Sequence, residues 1–338
     1  YGQVTISGRL FTSPVRLIAA DLAKKPRLNR LVINSSKNVI ATGLDVGDIA
    51  PGEWGNYALA ILSSSYVTFE HGRVHRLIDG QYMGDGEGLW CRSSNNVKIL
   101  DSEFLECFRA AWFQRSQDIE LARNSVHDVR CDGFACAAVQ RIVIEGNRFR
   151  DFHRSITNPD DHSDAIQFWQ TNESLASTDV VIRNNVMMQG GGTAMQGVFM
   201  RDESGGLPYE RVLIENNLLY ESGYDNGLSV IGGKDVTFRS NTCVSAPTGA
   251  GTAKIRYQNV AGCVIDRNVV DMFYDAGGNS SVVKTENTII TSEPAKAALL
   301  KDLAAGAAAT VAGLVMPGPG YQPPASQPPA TAPDQQPT

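Results

Sequence analysis

The densest polar run in the chain is Asn158-Pro159-Asp160-Asp161-His162-Ser163-Asp164, and its residue types are those that move protons. A histidine among carboxylates is a candidate base, because the neutral ring takes a proton near neutral pH and a carboxylate can orient it. Arg201 follows His162 by 39 residues, and Arg130 and Tyr224 fall on either side. One patch holding His162, the cations Arg130 and Arg201 and the phenol of Tyr224 could shift a proton on an anionic substrate. Asp160 and Asp164 would orient His162 or, with Asp161, hold a cation such as Ca²⁺, which favours clustered oxygens. Blander readings stand beside these. His162 could cap a loop turn, and Arg201 could pair with Asp202 or Glu203.

What positions this cluster is a repeat. The pattern apolar, any, apolar, any, any, Asn recurs as Ile119 to Asn124, Ile142 to Asn147, Val180 to Asn185, Val212 to Asn217, Val236 to Asn241 and Cys263 to Asn268. Val97 to Ser102 is an earlier copy and Val282 to Asn287 a late one. Steps between the polar landmarks are 22, 23, 38, 32, 24, 27 and 19 residues. Period-two alternation means a strand with one buried face. A polar residue straight after each strand means a turn whose amides can stack from repeat to repeat. The shorter steps fit a coil of three strands and three turns, each coil covering its neighbour's apolar face. The expected fold is all-β, a right-handed parallel β-helix of about ten coils.

A second strand precedes each copy. It gives an inward column of Leu89, Ala111, Phe134, Ile166, Val198, Leu228 and Ile255. The outward neighbours include Trp90, Arg92, Trp112, Gln114, Gln167, Trp169, Phe199, Arg201, Lys254 and Arg256. With coils about 4.8 Å apart, these read as a continuous aromatic and basic strip for substrate. The same register puts Asp164 level with Asp132, Gln196 and Asn226, and His162 level with Arg130 and Tyr224. Asp132 and Asp164 would then stand about 5 Å apart, close enough for the paired carboxylates of a retaining glycoside hydrolase. The two overlong steps place insertions around 152–163, 171–179, 190–194 and 202–210, as loops flanking this patch.

These residues resemble the right-handed β-helix polysaccharide enzymes of the pectate-lyase-like superfamily, in particular mannuronan C5-epimerases and alginate lyases. Members carry an Asp-Pro-His motif in a middle coil and an arginine about two coils downstream. Here Asp160-Asp161-His162 keeps Asp and His at that spacing, and Arg201 follows. The proline stands before the aspartate, at Pro159, and an equivalent of the family's upstream lysine is lacking. The resemblance covers the repeats from Leu31 to Asn287 and implies abstraction of the C5 proton of a uronate. That step needs a base (His162), a cation on the sugar carboxylate (Arg201) and, for elimination, a proton donor (Tyr224). A lyase or epimerase on an acidic polysaccharide is thus one reading. A glycoside hydrolase and a non-catalytic glycan-binding β-helix of phage-tail or adhesin type are the others.

Composition sets bounds. The formal charge of −6 argues against a nucleic-acid partner, which calls for a basic surplus. No run of 18 apolar residues could span a membrane as a helix. Six cysteines are too few for a disulfide framework in 338 residues. Cys91 and Cys136 read as small buried groups, while Cys107 and Cys131 lie about one coil apart and could pair. The helix is expected over residues 1–291, followed by a short helical segment at 292–316 capped by Ser292. The Pro-rich stretch 317–338 reads as a disordered tail, a linker toward a further module. Tyr1 to Ile6 already reads as a strand with no signal peptide, and a secreted or periplasmic location is expected from the function alone.

Overall fold

A computed structural model describes residues 1–47, 57–84, 86–158, 161–221, 226–245, 251–292, 294–296 and 298. Every strand pairing is parallel, and each strand pairs with its counterpart one coil on. One series of short strands turns directly into a second, and the two together form a 20-stranded sheet. A third series forms an 11-stranded sheet, so eleven coils stand among the described residues. Alternation drives this directly. Ile119, Ile142, Val180, Val212 and Val236 pair in register up the second series and are at most 2% exposed. Leu89, Ala111, Phe134, Ile166, Val198, Leu228 and Ile255 do the same in the first series. The core is the single apolar column inside the coils.

The corner after the second strand is built by one device repeated. Arg123, Asn184, Asn216, Ser240 and Arg267 take left-handed backbone angles, φ 51–58°, and swing the chain out of the strand. The asparagine that follows is then aimed along the cylinder. The backbone N–H and the Nδ2 of Asn124 both donate to Oδ1 of Asn147, at 2.9 Å each, and Asn124 Nδ2 also reaches the Ile99 carbonyl. The same bonds link Asn147 to Asn185, Asn185 to Asn217, Asn217 to Asn241, Asn241 to Asn268 and Asn268 to Asn287. The tertiary contact supplies what the left-handed residues cost.

A second ladder was not read from the sequence. At the corner between the first two strands, the N–H groups of Ser36, Ser64 and Ser94 each donate to the next coil's serine Oγ at 3.1 Å, ending at Ser116. Its trace is the Ser-Ser pairs at 35–36, 63–64 and 93–94. It lapses at Val139 and resumes with Ser177.

All six cysteines are buried and free, so Cys107 and Cys131 do not pair; Cys107 donates to the Leu105 carbonyl instead. Ser292 caps a helical start at 294–296, accepting from Ala295 N–H. The 317–338 tail lies outside the described residues. Among those described, no helix is long and apolar enough to cross a membrane.

Candidate active site

Two residues ahead of the first inward column stands a second column: Tyr57, Glu87, Arg109, Asp132, Asp164, Gln196 and Asn226. The position lies at the start of the strand, within it at Asp164 and Gln196 and just before it on the other coils, at the edge of the sheet. Arg109 bridges two carboxylates, donating from Nε to Asp132 Oδ2 and from Nη1 to Glu87 Oε1, both at 3.1 Å. Its flat guanidinium lies 5.6 Å from the Trp112 ring centre and 5.8 Å from that of Trp169. Burial works against the Arg109 charge, and Glu87 and Asp132 more than offset it, raising its pKa. Burial raises the Glu87 carboxyl despite Arg109.

Asp132 and Asp164 are wholly buried on adjacent coils. Among the described residues, Asp132 Oδ1 and both Asp164 oxygens lack a hydrogen-bond partner, as does Gln196 Oε1. Buried polar atoms left this way cost about 1–3 kcal/mol each, so a packed scaffold does not retain them without use. Burial, and then the charge of Asp132, push the Asp164 pKa well above the usual carboxylate range, against a smaller opposing pull from the Gln196 side chain.

His162 stands over this pair. Its Nε2 lies 3.7 Å from Asp164 Oδ2, 4.0 Å from Asp132 Oδ1 and 2.8 Å from the Gln167 amide nitrogen, while its side chain is 40% exposed. Cys131 Sγ donates to the His162 carbonyl at 3.1 Å, which ties the loop to the coil below. Burial, and then Asp132, hold that thiol above its ordinary pKa.

The structure sorts the remaining site residues. Arg130 is spent on Asp161 in a two-point pair at 2.8 and 3.0 Å, so it is no free cation. Burial opposes the Asp161 charge, but Arg130 and the Ser155 N–H outweigh it and lower its pKa. Asp161 and Asp164, read together as a cation set, therefore serve different neighbours. Asp160 and Tyr224 lie outside the described residues. Arg201 is exposed, and it forms no ion pair among the described residues. Strand spacing puts its Cα roughly 8 Å from that of Gln167, one coil on and two residues along. Asp202 instead closes its own loop through the N–H groups of Ser204, Gly205 and Leu207, and Glu203 accepts from Gln170.

The expected continuous strip breaks into two groups. Trp90 stacks between Tyr57 and Trp112 at ring separations of 4.8 and 6.0 Å, and Trp169 meets Trp112 edge-on at 5.7 Å. Trp169 reaches Trp112 because the coil between them presents only Ala135 and Ala137. Arg92 lies over Trp90, and Gln114 is taken by Glu173, which also holds Arg115. Beyond Phe199 the outward positions become Ser229 and Ile231, both buried. Lys254 and Arg256 form a separate patch against Tyr274, with Arg256 also bonded to Asn226 and Gln258. Asp132 and Gln167, read as substrate contacts, are at most 7% exposed and face His162 rather than solvent. Sequence reasoning missed Glu87, Arg109 and Gln196 as parts of one buried column, although its register already held Asp132, Asp164, Gln196 and Asn226 at one level.

No curated protein matches the sequence. Residues 29–185 match the family model described as a right handed beta helix region. Among solved structures, the chain is similar to PfbA, a surface adhesin of Streptococcus pneumoniae, at 16% identity over 78% of this chain and 67% of that one, with a TM-score of 0.52. It is similar to the periplasmic alginate epimerase AlgG at 10% identity, covering 86% of this chain and 77% of that one, TM-score 0.49. For the Dettilon tailspike protein gp208 the figures are 13%, 86%, 59% and 0.45, so the chain spans little more than half of that protein. Identities this low speak to fold alone. By its own strand pairing, by the family match and by the likeness to the adhesin, the chain is a right-handed parallel β-helix.

Proposed function

We propose that the chain is a polysaccharide lyase or C5-epimerase that removes a proton from a uronate, with His162 as the base. One observation carries this reading: a half-exposed imidazole set over two sealed carboxylates whose oxygens facing it, Asp132 Oδ1 and Asp164 Oδ2, have no hydrogen-bond partner among the described residues. Acidic groups beneath a histidine stabilise the imidazolium that forms when it accepts a proton. Gln167 fixes the ring. In the observed orientation its amide donates to Nε2, leaving the ring proton on Nδ1. Turned over, the amide accepts from Nε2–H and makes Nδ1 the basic nitrogen. Arg201 is the cation that would meet the sugar carboxylate, and Trp90, Trp112 and Trp169 would flank the chain of sugars. Such a substrate would be met outside the cytoplasm.

The hydrolase reading asks more of the molecule, because one carboxyl must reach the glycosidic oxygen and the other the anomeric carbon, and His162 covers both. A binding module without catalysis has no use for orphaned buried acids. The test is a panel of acidic polysaccharides, followed by the ultraviolet absorbance of a new C4–C5 double bond and by the ratio of C5 epimers. Activity on either readout that disappears in His162→Ala supports the proposal. New reducing ends without a double bond, lost in Asp132→Asn and Asp164→Asn, would hand the site to the hydrolase. No change in any glycan would leave a binding protein.

A further inference from the structure

The same cluster is built in a way that proton transfer does not require. The side-chain ligand atoms of Cys131, Asp132 and His162 lie within 4.8 Å of one another. Asp164 Oδ2 stands beside this set, 3.7 Å from His162 Nε2. Separations of 3.7 and 4.0 Å are too long for hydrogen bonds. They are close to the ligand–ligand edge of a tetrahedral site, about 3.3–3.4 Å for bonds of 2.0–2.1 Å.

Two independent observations point to a cation. Asp132 and Asp164 are 0% exposed, and the oxygens they turn toward His162 have no hydrogen-bond partner among the described residues. The buried column also carries three carboxylates, Glu87, Asp132 and Asp164, against the guanidinium of Arg109 within it and that of the buried Arg76 beside Glu87. A divalent ion would supply the missing positive charge where water cannot.

We infer that Asp132, Asp164, His162 and Cys131 form a binding site for one borderline-soft divalent cation of the Zn²⁺ class. The donors decide the class. An imidazole nitrogen and a thiol sulfur beside two carboxylates suit Zn²⁺ and Co²⁺, whereas Ca²⁺ takes six to eight oxygens. The ion enters from the His162 side, the exposed edge of the cluster, and Gln167 gives up its bond to Nε2 as the metal takes that lone pair. A ligated His162 is no longer a base, so the ion blocks the proton transfer proposed above. The inference goes beyond that reading and stands or falls apart from it.

The experiment is a titration of the tag-free, chelator-treated full chain with Co²⁺, followed by absorbance. The expected result is saturation at one equivalent, with the visible bands of four-coordinate Co²⁺, the near-ultraviolet band of a Co–thiolate and bleaching by Zn²⁺. Cys131→Ser should remove the thiolate band. His162→Gln changes a partly exposed loop side chain, so folding is not at stake. It should weaken binding by more than the 10- to 100-fold, roughly, that loss of an outer-shell partner costs. His153→Gln should change nothing, since His153 belongs to a separate cluster with Tyr82 and Asp128. Absence of the bands, or bands that persist in His162→Gln, would overturn the site. Turnover lost in His162→Ala without any Co²⁺ binding would sink the metal site and leave the base standing. Co²⁺ binding by the native chain, with full turnover in His162→Ala, would do the reverse.

Discussion

Two buried polar columns run up the same cylinder and differ in kind. In the asparagine column every coil from Asn124 to Asn268 carries the same residue and every amide is spent the same way, on the asparagine above and a strand carbonyl. In the column from Glu87 to Asn226 the residue type varies from coil to coil, only Asp132 and Asp164 repeating, and oxygens of Glu87, Asp132, Asp164 and Gln196 have no hydrogen-bond partner among the described residues. Both are largely buried, so burial alone does not separate them. Uniform, satisfied ladders stabilise a solenoid. A mixed column with unspent acids costs stability and marks the place where the fold is put to use.

Four substitutions sharpen or break that contrast. The largest effect is expected at the mixed column. His162→Ala should lower turnover by about 100- to 10,000-fold, the usual worth of a positioned base, with circular dichroism and melting unchanged. Equal turnover in variant and native chain would erase the functional meaning of that column. Next comes the uniform one. Asn147→Ala strips partners from Asn124 and Asn185 and should cost about 1–3 kcal/mol in denaturant unfolding, with kcat untouched. A cost near zero would mean the ladder is ornamental.

Asp164→Asn should do the opposite of Asn147→Ala, raising the melting temperature by a few degrees while reducing activity. The sign follows from the raised pKa. The folded chain keeps a proton that the unfolded chain releases above about pH 4, so stability falls as pH rises from there toward the folded pKa. An asparagine cannot ionise, and the variant's stability should vary less with pH across that window. A melting temperature that drops in Asp164→Asn at neutral pH would show that the carboxylate is structural. The smallest change is Arg123→Ala. Its two-point pair with Asp101 lies on the solvent side of the asparagine corner, and its loss should shift stability by no more than about 0.5–1 kcal/mol. A larger loss would extend the stabilising role from the buried ladder to the surface.

The sequence alone determined the coils. Period-two alternation with an asparagine at each corner leaves no other packing for Ile119, Ile142, Val180, Val212 and Val236, because each must cover the one below. The spacing between asparagines also located the two overlong coils, whose loops hold His162 and Glu203. Tertiary structure alone decided which polar residues meet. Arg130 went to Asp161 and Gln114 to Glu173, pairings across 31 and 59 residues that depend on how an irregular loop folds back, which periodicity does not encode. The aromatic strip broke for the same reason. Register says that Ala135 and Ala137 lie between Trp112 and Trp169, but only packing shows the two indoles closing over that gap. Asp132 and Asp164 were legible as neighbours and not as buried ones. Period-two reasoning assigns faces along a strand, and these aspartates stand at its very start, Asp132 just before it and Asp164 as its first residue, where burial depends on what the next coil and the His162 loop lay on top.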